Sequence, residues 1–153
     1  MAVTREQILA ALCKAYNMEI ETVINYLANS LDMEGVRADF IKQALAADIQ
    51  GELTHAQQLG NRIKQLGGSI PGSLKLTMTQ KTLQPAADTT DVVTVIRGVL
   101  DAEEEAINHY KALIRLTEGE DYVTQDLAIR ILADEEGHRQ QFQGYLKEYT
   151  RSK

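Results

Sequence analysis

Apolar residues recur every three to four positions along four long stretches of the chain, the period of a helix that turns one face inward. On the first stretch Leu12, Ala15, Tyr16, Val23 and Tyr26 share such a face, with Thr22 among them. Thr4 is a candidate cap, Glu6 puts an acid in the first turn and Gly35 supplies a stop, which predicts helix A over about 4–34. The same signals predict helix B over about 36–66, closed by Gly67 and Gly68, helix C over about 90–117, and helix D over about 121–150. Residues 67–89 hold both prolines and no sustained helical period, so they read as a long crossover and not as a turn. Connections that run short, long, short predict an all-α, antiparallel four-helix bundle occupying residues 1–153 as one domain.

Helical phase then separates inward from outward acids. On helix A, Glu19 falls in phase with Leu12, Ala15 and Tyr26, whereas Glu21 neighbours Lys14, Asn17 and Asn25 and is expected in solvent. On helix C, Glu103 keeps company with Ile96, Val99, Ile107 and Tyr110, while Glu104 sits beside Arg97, Asp101 and Lys111. Helices B and D each carry the pattern Glu-x-x-His, as Glu52 with His55 and Glu135 with His138. Residues three apart share a helix face, so each pair can close on one cation. The halves repeat: Glu-x6-Tyr on one helix (Glu19 and Tyr26, Glu103 and Tyr110) precedes Glu-x2-His on the next.

Four carboxylates in one apolar interior would repel each other and lose hydration, at several kcal/mol per ion. Two divalent ions offset their charge, and two neutral imidazoles complete the coordination. A carboxylate and imidazole set suits two iron ions per chain, with manganese or zinc as other occupants, and metal ligands are therefore assigned to Glu19, Glu52, His55, Glu103, Glu135 and His138.

Composition narrows the setting. A formal charge of −6 and no basic stripe argue against a nucleic-acid partner. One cysteine, Cys13, excludes a disulfide framework and a thiolate metal site; it is read as a packed or subunit-contact thiol. No run approaches a membrane span and the first residues lack the basic flank and apolar run of a signal peptide, so a cytoplasmic location is expected. His109 lies off the ligand face and is expected at the surface or an interface.

At the six ligand positions the chain resembles the ferritin-like superfamily, and within it the bacterioferritins, whose helix-D signature is similar to Ile131-Leu-Ala-Asp-Glu-Glu-Gly-His138. The resemblance spans about Thr4 to Thr150. It implies that Glu52 and Glu135 bridge the metals, that Glu19 and Glu103 are terminal ligands, and that His55 and His138 take one metal each. It also implies a ferroxidase that oxidises Fe(II) with dioxygen or hydrogen peroxide and stores the ferric product. Tyr26 stands where family members carry a tyrosine near the metals, so it is either an electron donor or a core tyrosine; Tyr110 is read as a core tyrosine. Leu53 occupies the place of the haem-ligating methionine, so no haem is expected. The chain ends soon after His138, leaving no fifth helix, and a homo-oligomer of at least two subunits, up to a cage, is the implied assembly. A rubrerythrin-like peroxide reductase without storage is the alternative, although its extra carboxylate is here Ala106. Asp134 can orient a histidine, while its repeat counterpart is Gly51.

Overall fold

Thr4 begins the first helix by accepting from the Gln7 backbone N–H, and the Gln7 side chain accepts from Thr4 N–H in return, a reciprocal capping box. In the computed structural model, which describes residues 3–151, helix α1 then runs over Arg5–Asp32, α2 over Asp39–Gln65, α3 over Val92–Thr117 and α4 over Tyr122–Tyr149. Residues 1, 2, 152 and 153 of the expected domain lie outside the described residues. Asp91 and Asp121 cap α3 and α4 by accepting from the backbone N–H of Thr94 and Thr124. All described helices follow the expected order, and the described residues contain no strand.

One boundary moves. Helix α2 starts at Asp39 and not near Val36, because Gly35 to Ala38 form the turn that reverses the chain between antiparallel neighbours. Gly35 takes φ +96°, a left-handed backbone that glycine adopts without cost, and Val36 is left 95% exposed.

Helix α1 packs along α2, and α3 along α4, giving two hairpins that close face to face. The apolar interior falls into two clusters. Tyr26, Ile41, Leu45, Ile96, Val99 and Phe142 belong to one, and Leu12, Leu59, Ile63, Tyr110, Leu113 and Ile131 to the other. On each helix the inward glutamate lies between residues of the two clusters, so the polar centre is sealed from both ends by packed side chains.

The crossover, with a short 3-10 turn at Ser73–Lys75, runs along α1 and is tied to its polar face. Asn17 donates to and accepts from the Thr77 backbone, at 2.8 and 2.7 Å. The Gln80 backbone N–H donates to Glu21 Oε1 at 2.6 Å, and its side-chain amide donates to Thr22 and accepts from Asn25. Asn29 donates to the Leu83 carbonyl at 3.1 Å. The expectation that Glu21 is solvated is therefore corrected: it is 2% exposed, because the crossover covers the face of α1 on which it lies. An irregular segment must satisfy its own backbone polar groups, and the wet-looking residues of α1 do that. Leu83 is buried with Ile96 and Val99, and Gly98 of α3 makes room for it; a Cβ there would run into the Thr82 carbonyl. Among the described residues no helix is long and apolar enough to cross a membrane.

Candidate metal centre

The bundle brings the six sequence-selected residues together. Their donor atoms form two overlapping groups, each within 4.8 Å: Glu19, Glu52, His55 and Glu135 in one, and Glu52, Glu103, Glu135 and His138 in the other. Glu52 and Glu135 are common to both, one from α2 and one from α4. The remaining glutamates come from α1 and α3, and each group takes one histidine. The four carboxylates are at most 3% exposed.

Both imidazoles turn Nδ1 inward. His55 Nδ1 lies 3.0 Å from Glu135, 3.6 Å from Glu19 and 3.7 Å from Glu52, and His138 Nδ1 lies 3.2 Å from Glu52 and 3.8 Å from Glu103. Yet Glu52 Oε1, His55 Nδ1, Glu103 Oε2, Glu135 Oε1 and His138 Nδ1 are all buried without a hydrogen-bond partner. Buried polar atoms are rarely left so, and five of them converging on one volume fit a pair of cations. The donor set, carboxylate oxygens with two imidazole nitrogens, suits iron or manganese.

Outside the donors, the halves differ. His55 Nε2 is 3.0 Å from Asp134 Oδ2, so the neutral tautomer with its proton on Nε2 donates there and leaves Nδ1 free to ligate. Among the described residues His138 has no such hydrogen bond; near it stands the half-buried Asp48, whose charge acts on the imidazole. Sequence reading missed Asp48, although its place one turn before Glu52, on the same face, was the available signal.

The tyrosines cross between the halves. Tyr26 follows Glu19 on α1 yet donates to Glu103 Oε1 on α3 at 2.8 Å, and Tyr110 follows Glu103 on α3 yet donates to Glu19 on α1. The sequence association of Tyr26 with Glu19 is thus replaced by a bond to the opposite glutamate. Both hydroxyls are buried, and burial followed by the nearest carboxylate charges pushes both well above the ordinary phenol range.

Crowding sets the protonation of the donors. Burial and then the charge of Glu52 hold Glu19 well above the usual carboxylate range, and burial followed by Glu19 and Glu52 does the same to Glu135. Burial raises Glu103 as well. Glu52 goes the other way: burial opposes its ionisation, but contacts with His138, His55 and Glu19 outweigh it. Contact with Glu52 pushes His138 up to about 9 against burial. His55 is raised further, burial being outweighed by Glu135, Glu19 and Glu52. Protons therefore take the place that cations are suited to fill.

His109 is half-buried, its Nε2 meeting the Ala11 carbonyl at 2.8 Å, and burial lowers its pKa. Cys13 is half-buried, and burial raises its thiol.

Residues 9–152 match the Ferritin-like domain family. The chain is 28% identical to the DNA protection during starvation protein of Pyrococcus furiosus over 145 residues, covering 92% of this chain and 77% of the relative. It superposes with a TM-score of 0.85 on a bacterioferritin-related protein of Bacteroides fragilis, described as a dodecameric thioferritin, at 28% identity over 97% of this chain and 89% of that one. A ferritin-like, diiron-carboxylate protein of Bacillus anthracis shares the fold, with a TM-score of 0.80 and 21% identity over 95% and 99% of the two chains.

Proposed function

Since the chain belongs to the Ferritin-like domain family, we propose that it is a ferroxidase that binds two Fe(II) ions per chain at its buried carboxylate centre, oxidises them and passes the ferric product to storage. The observation that carries this reading is the pair of overlapping donor groups sharing Glu52 and Glu135. Glu52 and Glu135, common to both groups, would hold two ions close enough to deliver two electrons to one oxidant. With hydrogen peroxide, each Fe(II) gives one electron, the O–O bond breaks and two protons complete two waters. With dioxygen, the same two electrons and two protons give hydrogen peroxide.

In this reading Glu19 and His55 hold one ion, Glu103 and His138 the other, and Glu52 and Glu135 span both. Asp134 keeps the His55 proton on Nε2, so Nδ1 ligates. Tyr26 and Tyr110 fix the terminal carboxylates by donating to one oxygen of each, which leaves the second for metal. The packed clusters on either side exclude water from the centre. Tyr26 is also placed to supply an electron when the oxidant needs more than two.

The similarity to a dodecameric protein supports a homo-oligomeric shell, and storage requires one. The net charge of −6 weighs against direct binding of DNA, so the resemblance to a DNA-protection protein is read as shared iron chemistry. Replacing Glu52 or Glu135 with Ala is expected to abolish rapid Fe(II) oxidation followed by stopped-flow absorbance; unchanged kinetics in both variants would refute the assignment. Adding Fe(II) in large excess tests storage, because a peroxide reductase without a shell stops near two irons per chain.

A further inference from the structure

A small cavity of about 10 Å³ borders the centre, lined by Glu19, Glu52, Glu103 and Glu135 together with Met18, Thr22, Gln80, Ala102 and Ala106. This is room for a water-sized molecule. Neither histidine lines it, so it approaches the donors from the α1, α3 and crossover side. Outside it lies an open groove of about 520 Å³ between α1 and the crossover, whose lining includes Cys13, Lys14, Asn17, Lys75 and Thr77. One residue lines both spaces, Met18.

The other outer walls of the inner cavity are hydrogen-bonded or short. Gln80 is held through its backbone N–H, its side-chain amide and its side-chain oxygen, by Glu21, Thr22 and Asn25 in turn. Thr22 is the acceptor of one of those bonds, and Ala102 and Ala106 end at Cβ. Met18 is half-buried, and its unbranched side chain has three rotatable bonds. Among its described lining residues the groove carries Lys14 and Lys75 and no carboxylate, a charge that disfavours a dication and is indifferent to a neutral molecule. Acidic side chains stand instead beside the histidines, at Asp48 and Asp134.

We propose that the groove between α1 and the crossover, closed inside by Met18, is the access route of a small neutral oxidant to the centre, separate from the acidic side by which Fe(II) approaches. The proposal rests on the two-metal reading above. Movement of one side chain opens the path, and the fixed roof of Gln80 limits it to small molecules.

The test compares the wild type with Met18→Ala, Met18→Phe and protein alkylated at Cys13 by N-ethylmaleimide. Each is titrated with Co(II), loaded with two Fe(II) per chain, and mixed with hydrogen peroxide or tert-butyl hydroperoxide. Met18→Phe and Cys13 alkylation are expected to slow both reactions roughly tenfold, and Met18→Ala to raise the rate with tert-butyl hydroperoxide relative to hydrogen peroxide by roughly tenfold, with Co(II) binding preserved. Cys13→Ala treated with the same reagent should keep its rate. Metal-free crystals under krypton pressure should show an atom in the inner cavity of Met18→Ala and none in Met18→Phe. Unaltered rates and rate ratios in Met18→Ala and in the alkylated protein, each still binding two Co(II), overturn the route and leave the metal centre standing. Failure of the wild type to bind Co(II) overturns the metal centre itself. Should Met18→Phe lose Co(II) binding, Met18→Ala and the alkylated protein decide the matter.

Discussion

Replacing Asp134 with Ala should weaken one metal position and spare the other. Asp134 Oδ2 lies 3.0 Å from His55 Nε2, and among the described residues no equivalent hydrogen bond reaches His138. A hydrogen bond to a charged group contributes about 1.5–3 kcal/mol when shielded. The Asp134 side chain is 63% exposed, so water and salt screen it and about 1–1.5 kcal/mol is expected. That corresponds to roughly a tenfold loss of affinity, the low end of the range for a residue that orients a metal-binding histidine. The loss should fall on the position served by Glu19 and His55. Titration with Co(II), read by visible absorbance, should change from two similar steps, or one composite step, to two separated ones. The reciprocal variant, Gly51→Asp, places a carboxylate at the equivalent point of the other half, where a Cβ meets nothing within 4 Å, and should tighten the His138 position. Equal weakening of both positions in Asp134→Ala, or none, would refute the argument that the imidazole is oriented from outside.

Protons and metals compete for the same donors. Because contact with Glu52 raises His138 to about 9 from 6.5, and His55 is raised further, Co(II) must displace protons from both at neutral pH, so apparent affinity should rise with pH through about 9 without levelling there; calorimetry in two buffers of different ionisation enthalpy should show proton release. In metal-free protein the sign reverses: the His138 contact stabilises the fold fully below about pH 6.5 and that contribution is lost as pH rises through about 9, which urea unfolding at several pH values would detect. Gly98→Ala should cost about 1–3 kcal/mol in thermal unfolding, because the new Cβ collides with the crossover backbone; a melting temperature unchanged from wild type would show that the crossover is not pressed against α3. Tyr110→Phe frees one oxygen of Glu19, and should slow single-turnover Fe(II) oxidation by several-fold while the protein still binds two Co(II); an identical rate would make Tyr110 a packing residue only.

Helix α1 shows how far local pattern reaches. Its apolar phase placed Glu19 inward, since a helix face is fixed by spacing of three and four residues, and the same reasoning selected Glu103 beside Glu104. It failed for Glu21 because a polar stripe facing water and one facing an irregular strap look alike in sequence; only the path of residues 77–84 distinguishes them. It failed for Asp48 because an acid one turn from a ligand becomes significant only when His138 of another helix arrives beside it.

The sequence by itself determined the helices, the long crossover and which six Glu and His side chains turn inward, since each follows from periodicity within one helix or its interruption. Tertiary structure alone decided that Tyr26 serves Glu103 and Tyr110 serves Glu19, across separations of 77 and 91 residues, and that Met18 lines both an outer groove and the inner cavity. A helix specifies which residues share a face, but which foreign side chain meets that face depends on how the two hairpins close and where the crossover lies. Those are properties of the packed interior, in which shape, burial and satisfied polar groups are settled together.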